Sequence, residues 1–342
     1  MKLWSHKYIH VSRRAERVLA GMAFKEVRSI AVIKHAALGD MVLTRPFFVT
    51  LRQHFPFARV TLSAVENYLQ ALPRDLVDRV HVSAGKSRPR PPFLQRQRRY
   101  RELGYHDLLF DLPASSDSYW ITAVNPARLK VGFRHSPHAR LLYDVAIPRG
   151  IFTFEAENFL AQLAVLRIRY DWPLRFDWPR LPGTPARRYV LYFPTASVAV
   201  KCWPAERYGA LLGRMASTRP ELEHLLMYGV ADWEVASAEQ ALAAAGGERD
   251  NLRAERDARG EQFQRLIQQA TLVISNDTGI RNVAIAAGTP TLGIFPVGLV
   301  YTYLPRFGYH ETVHEPEGGH PTVDAVFTAA LALLGRIEGA AR

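Results

Sequence analysis

Short apolar runs, each followed by a loop and then by a stretch whose apolar residues recur every three or four positions, dominate the chain. This is the pattern of strands alternating with covering helices. The first unit of the pattern is Ser29-Ile-Ala-Val-Ile-Lys34, a loop at 35–39 and a helix to about 55 with Phe47, Phe48, Leu51 and Phe55 on its apolar face. Further strands are predicted at 59–64, 107–112 and 129–133. Between 171 and 187 the chain reads DWPLRFDWPRLPGTPAR, four prolines and a glycine with no period, which predicts a linker. The pattern then restarts, with strands at 189–193, 225–228, 271–275 and 291–295. Helices are expected from about 204 and at 261–269, 279–287 and 322–337. The expectation is an α/β chain of two Rossmann-like domains with parallel sheets. Its parts are a basic extension at 1–27, a first domain at 28–172, a linker at 173–187 and a second domain at 188–342. In open parallel sheets ligands bind beyond the carboxyl ends of the strands, so both sets of strand-end loops are expected to serve a central cleft.

A length of 342 residues agrees with two domains, and 48% apolar with 22% charged residues excludes intrinsic disorder. The formal charge of +12 changes the picture more, because it is unevenly spread. Residues 1–170 hold 27 basic and 13 acidic groups, and residues 171–342 hold 17 and 19. A basic first half suits an anionic partner, while a near-neutral second half suits a different ligand. One cysteine, Cys202, excludes an internal disulfide and fits a reducing compartment. The first 30 residues carry Lys2, Lys7, Arg13, Arg14 and Arg17 and no apolar run of signal-peptide length. The longest uncharged stretch, 282–304, is broken by Gly288, Pro290, Gly293, Pro296 and Gly298, so no transmembrane helix is expected. The segment 1–27, with Trp4, Tyr8, Leu19 and Met22 among its charges, suits either a membrane surface or a helix packed on the first domain. A cytoplasmic location follows, with peripheral attachment to the inner face of the inner membrane as an option.

Several chemistries lose their support. No G-x-G-x-x-G follows a strand, Gly85-Lys86-Ser87 lacks the earlier glycine and the following helix of a P-loop, and no G-x-S-x-G or H-E-x-x-H occurs. There is no Asp-x-Asp pair, and His135 and His138 have the spacing of a surface loop, so no metal is expected.

Three strand-end loops do carry chemistry. In the first, Gly39 permits a tight turn and Asp40 stands at a helix start, where a carboxylate serves either as a general base or as a helix cap. In the second, Thr195 and Ser197 can hydrogen-bond phosphate oxygens, and Lys201 can neutralise them or be merely solvated. Lys201 is the only lysine after Lys130 in a chain that otherwise writes arginine. The third runs Ser275-Asn276-Asp277-Thr278-Gly279 into a helix rich in small residues, whose free N–H groups suit a diphosphate or simply a capped helix. Between the first two loops, residues 86–101 hold seven basic groups and no acidic one. They read as a proline-containing loop able to reach an anion. No nucleic-acid-binding motif accompanies them, so nucleic acid is not the expected partner.

In this order the three loops resemble glycosyltransferase family 9, the ADP-heptose:lipopolysaccharide heptosyltransferases. The likeness lies in K-x-x-x-x-G-D-x-x-x-x-x-P from Lys34 to Pro46, in Lys201-Cys-Trp203-Pro204 and in Asn276-Asp277-Thr278-Gly279. The resemblance implies a GT-B fold and an inverting, metal-independent transfer of heptose from ADP-heptose to the inner core of lipopolysaccharide. It implies that Asp40 is the base and that Lys201 and Thr195 hold the leaving diphosphate. Gly39, Ser197, Asp277, Thr278, Gly279 and Asn282 would complete the donor site, and Lys86, Arg88, Arg90 and Arg134 would meet the acidic glycolipid acceptor. The co-substrate is a nucleotide sugar and no further cofactor is implied. Two positions depart from the family pattern: Asn282 stands where members commonly carry histidine, and Thr153 stands near the place of another. They leave open a different nucleotide sugar or acceptor, or a binder without turnover.

Overall fold

The computed structural model describes residues 8–66, 69, 72–83, 91–113, 115–135, 138–183 and 189–340. The chain divides into two compact units, Met1–Asp177 and Trp178–Arg342. Among the described residues no helix is long and apolar enough to cross a membrane.

The first unit runs β1 (His10–Val11), α1 (Arg13–Gly21), β2 (Ser29–Ile33), α2 (Leu38–Val42), α3 (Arg45–His54), β3 (Arg59–Val65), β4 (Arg79–Ser83), α4 (Phe93–Arg101), β5 (His106–Asp111), α5 (Ser116–Val124), β6 (Ala127–Phe133), α6 (Ala139–Leu142), β7 (Val145–Ile147) and α7 (Glu155–Ala164). Its seven strands are ordered β1-β7-β6-β5-β2-β3-β4, parallel except for the β1–β7 pair. From β2 the chain moves outward through β3 and β4, then returns to the other side of β2 for β5 and continues to β6 and β7. The gap between β2 and β5 is therefore the switch point at which such sheets bind ligands. The strands are buried on both faces, with Ile30, Val32, Leu108 and Phe110 at 0% exposure.

The helix expected to run unbroken to residue 55 is split. Pro46 lacks the N–H that would bond Val42, and its ring opposes that carbonyl, so α2 stops and α3 restarts with proline in its first turn. Gly39 is correspondingly the second residue of α2 and not a turn before it. The basic stretch read as a loop is also corrected. Residues 93–101 are α4, because prolines are tolerated just before a helix start and FLQRQRRYR consists largely of helix-compatible side chains. Gln97 and Tyr100, three apart, bury one face, and Tyr100 donates its hydroxyl to Asp117 at 2.8 Å. Lys86, Arg88 and Arg90 lie outside the described residues.

Residues 10–21 are joined to the sheet. β1 pairs with β7, Ser12 Oγ caps α1 by accepting from the Ala15 N–H at 3.0 Å, and Arg14 donates from NH1 to both oxygens of buried Asp144 at 2.7 and 2.9 Å and from NH2 to the Ala127 carbonyl at 2.7 Å. Arg45 forks onto Asp75 through NH1 and NH2 and donates to the Phe176 and Asp177 carbonyls, fastening residues 176–177 to α3.

The second unit runs β8 (Tyr189–Phe193), α8 (Ala205–Thr218), β9 (Glu223–Tyr228), α9 (Asp232–Ala244), β10 (Leu252–Arg256), α10 (Gly260–Gln269), β11 (Leu272–Asn276), α11 (Gly279–Ala287), β12 (Thr291–Phe295), α12 (Val300–Tyr303), β13 (His310–His314) and α13 (Val323–Ala340). Six parallel strands are ordered β10-β9-β8-β11-β12-β13, which puts a second switch point between β8 and β11. Trp203, Tyr192, Tyr208, Leu212 and Met215 pack with Val326, Ala330 and Leu333 of α13 in its core.

Three histidines make the fold sensitive to acid. His224 is fully buried, accepting at Nδ1 from the Tyr192 hydroxyl at 2.9 Å and donating from Nε2 to the Arg219 carbonyl at 3.3 Å, which suits the neutral ring. Burial pushes His224 and His35 down to about 4 and His310 to about 3. The unfolded chain takes up these protons near pH 6.5 and the folded chain resists them until about 4. Stability is therefore full above 6.5 and falls as pH drops towards 4, by the order of 1 kcal/mol per pH unit for each histidine. Thermal melts across that window should show a steadily falling transition; a flat profile would reject the assignment.

Candidate active site

Gly39 and Asp40 follow β2, a strand that borders the switch point of the first sheet. β2 delivers Lys34 to the sheet edge, where only 4% of the residue is exposed. Its Nζ lies 4.2 Å from the Phe159 ring centroid and 4.0 Å from Glu155 Oε1. Burial pushes the Lys34 ammonium below its usual value, against the charges of Glu155 and Asp40, which hold it up. Glu155 also receives Arg149 NH2 at 2.5 Å. Asp40 follows as the third residue of α2, half-buried, in the first turn where a carboxylate faces the positive end of the helix. Arg134 leaves β6 at the same edge of the parallel sheet, its N–H donating to the Ile147 carbonyl at 2.7 Å. The first unit thus presents two carboxylates, Asp40 and Glu155, near the buried Lys34 side chain, and of these Asp40 stands at a helix start after β2, a position from which a carboxylate can take a proton from a hydroxyl.

In the second unit the loops after β8 and β11 are stapled together by Asn276, which is fully buried. Its Oδ1 accepts from the Trp203 N–H at 3.0 Å and its Nδ2 donates to the Pro194 carbonyl at 2.7 Å. The result places Lys201 Nζ 2.5 Å from Asp277 Oδ2 and 6.0 Å from the Tyr303 ring. Lys201 and Asp277 are thus partners here, where the sequence reading sent one to phosphate and the other to sugar. Thr195 is fully buried and donates its hydroxyl to Glu234 Oε1 at 3.3 Å, while Ser197 is exposed. Thr278 precedes α11 with extended backbone, and its Oγ1 is buried with no hydrogen-bond partner among the described residues. Gly279 opens α11, whose first turn holds no acidic residue. A lysine, a hydroxyl without a partner among the described residues and the N–H groups of a helix start are the kinds of group that can hold an anion.

Asn282 is buried at 4% exposure one turn into α11, next to Arg281 at 1%. Arg281 donates to the Tyr303 carbonyl at 2.5 Å and to the Glu311 carbonyl at 3.4 Å, and its guanidinium carbon stands 5.4 Å from the Phe295 ring centroid. Burial lowers it to about 10 against the charge of Asp277.

Glu234 was not visible as a site residue in the sequence. It is the third residue of α9, accepts from the Ala231 N–H at 3.3 Å and fills the space that a side chain at Gly229 would take. Glu155 was missed as well, since an acid opening a helix is the commonest of patterns. Among the described residues no group of three or more His, Cys, Asp or Glu side chains is placed to hold a metal ion.

Comparison with solved structures defines the fold. The chain superposes with a TM-score of 0.71 on the Escherichia coli heptosyltransferase WaaC solved with ADP-2-deoxy-2-fluoro heptose, at 18% identity over 89% of this chain and 99% of that one. A glycosyl transferase family 9 protein from Veillonella parvula gives 0.70 at 18% identity, over 92% and 99%. The E. coli ADP-heptose lps heptosyltransferase II gives 0.65 at 19%, over 91% and 99%. The two α/β units are those of the GT-B glycosyltransferase fold. The family model for glycosyltransferase family 9 (heptosyltransferase) matches residues 96–298, and the chain belongs to that family. No curated protein matches the chain by sequence.

Proposed function

We propose that the protein transfers heptose from ADP-heptose to the inner core of lipopolysaccharide, with inversion and without a metal. The observation that carries this reading is the meeting of Lys201, Asp277 and the unpartnered Thr278 hydroxyl at the switch point of the second sheet. When the diphosphate enters, the Lys201 ammonium exchanges Asp277 for phosphate oxygens. This leaves the Asp277 carboxylate to accept from sugar hydroxyls. The Thr278 hydroxyl and the N–H groups opening α11 take further phosphate oxygens. In the first unit Asp40 accepts the proton of the acceptor hydroxyl as its oxygen bonds the anomeric carbon, and the bond from that carbon to the diphosphate oxygen breaks. A single displacement needs one base, and Lys201 supplies the positive charge for the leaving group. The excess of basic over acidic groups in residues 1–170 suits an acceptor bearing Kdo carboxylates and lipid A phosphates, and supports a reaction at the cytoplasmic face of a membrane.

A thermal-shift series with ADP, UDP, GDP and CMP tests the donor, and ADP is expected to stabilise most. Lys201→Met should weaken ADP binding about a hundredfold, because it removes a charged hydrogen bond and leaves Asp277 facing the diphosphate. Incubation with ADP-heptose and heptose-less core lipid should then give an extended glycolipid. Preference for another base, or no product with such acceptors, would reject the heptose reading.

A further inference from the structure

Three helices of the first unit, α4, α5 and α6, pack in sequence, α4 on α5 and α5 on α6. Their outer surface is unusual for a protein facing only water. Leu94 is 80% exposed, Leu141 88%, Phe93 52% and Trp120 48%. Phe93 and Trp120 meet edge to face at 6.1 Å. Behind Trp120 a cavity of about 300 Å³ is lined by Ser116, Tyr119, Ala123, His138 and Leu142, most of it apolar carbon. Apolar groups clustered in this way mark an interaction surface.

The charges beside them identify the partner. Leu94, Arg98 and Arg101 fall four and three residues apart, on one stripe of α4. Arg98, Arg101 and Arg140 are exposed and make no ion pair among the described residues. Arg96 is instead held near Asp117, at 3.9 Å, and over the Phe93 ring, at 5.9 Å. Of the carboxylates on these helices and their ends, Asp117 is bound to Tyr100 and Arg96, which leaves Glu102 against three arginines. A second copy laid on this face about a two-fold axis would set arginines against arginines. An anionic bilayer offers the opposite charge, and its interfacial layer takes tryptophan and aliphatic side chains while arginines extend to the headgroups.

We propose that the α4–α6 face docks onto an anionic lipid bilayer, with Phe93, Leu94, Trp120 and Leu141 entering the interfacial layer and Arg98, Arg101 and Arg140 meeting lipid phosphates. The inference deepens the glycolipid reading of the function and rests on it for its purpose. Vesicle binding is read without donor or acceptor, so its failure would leave the transfer assay standing.

The test is co-sedimentation of the full chain with vesicles of phosphatidylcholine alone and of phosphatidylcholine mixed with phosphatidylglycerol. The wild type is expected to bind the mixed vesicles, more weakly at high salt, and hardly to bind the neutral ones. Leu94→Ser with Leu141→Ser, both at highly exposed positions, should weaken binding at least about tenfold. Arg98→Gln with Arg101→Gln should weaken it roughly thirtyfold. Neither pair should change the melting temperature or the ADP-induced shift. Three outcomes would overturn the proposal: equal binding to neutral and anionic vesicles, variants that bind like the wild type, or no vesicle binding together with a concentration-dependent dimer that the variants abolish.

Discussion

Asp40→Asn is expected to lower sugar transfer by roughly a thousandfold while leaving the stabilisation by ADP unchanged. The exchange is nearly isosteric and keeps a hydrogen-bonding side chain in the first turn of α2, so the local fold survives. The helix start loses the favourable charge of a carboxylate, about 0.3 to 1 kcal/mol, which should lower the melting temperature slightly. What disappears is the acceptor for the proton of the attacking hydroxyl. Buried Lys34, which keeps Glu155 at 4.0 Å, loses one of the three acids that oppose the effect of its burial. Lys201, Asp277, Thr278 and the N–H groups opening α11, which are proposed to hold the diphosphate sugar, all belong to the second unit, and the backbone at Gly39 is unchanged by the exchange, so binding and turnover should separate in this variant. Turnover within tenfold of the wild type would remove Asp40 from the role of base. A parallel loss of ADP binding would point to a folding defect.

Trp203→Ala should be the most damaging single change to stability. The indole is 1% exposed, meets Tyr208 edge to face at 5.2 Å and donates from Nε1 to the Pro321 carbonyl at 2.9 Å. Truncating a large buried aromatic costs about 3 to 5 kcal/mol, a sizeable share of the roughly 5 to 15 that a domain possesses. The loss reaches function as well, because Trp203 lies two residues after Lys201 and its N–H is one end of the Asn276 staple. Trp203→Phe separates the two effects. It keeps most of the packing, and the Pro321 carbonyl keeps a donor in Arg207 NH1 at 2.9 Å, so about 1 kcal/mol should be lost. Calorimetric melts of the two variants with and without ADP would check this; an alanine variant that melts within a degree or two of the wild type would refute it.

The parts of the fold that could be read from the sequence are those whose burial leaves a local signature. The central strands β2, β3, β5, β8, β11 and β12 are buried along most of their length and stand out as short, largely apolar runs, and β6 is marked by its apolar Leu129, Val131 and Phe133. The edge strands do not. β10 reads LRAER and β13 reads HETVH, both half-buried, and only their pairing with β9 and β12 makes them strands. Helix α9 escaped because DWEVASAEQALAA buries only Ala238 and Ala241 and so has no stripe of large apolar residues. It packs by close approach instead: a Cβ at Gly209 of α8 would lie 2.3 Å from the Ala241 carbonyl oxygen.

The site divides in the same way. Asp40, Lys201 and Asp277 were visible because each lies in the segment joining a strand to the next helix or in that helix's first turn, as an acid opening a helix, as a lone lysine and as part of a polar run. The contact between Lys201 and Asp277 joins residues 76 apart, and the bond from Thr195 to Glu234 spans 39. Neither has a local cause, since each follows from β8 lying beside β11 or β9.

Arg281 carries a consequence for how this sequence can vary. A Cβ at Gly293 would stand 2.6 Å from Arg281 Nε and 3.1 Å from its Cδ, and the guanidinium is held beyond by the Tyr303 and Glu311 carbonyls. No side chain at 293 fits while arginine occupies 281. The two positions are therefore coupled: a side chain can be added at 293 only if Arg281 moves off its two carbonyls or gives way to a smaller residue.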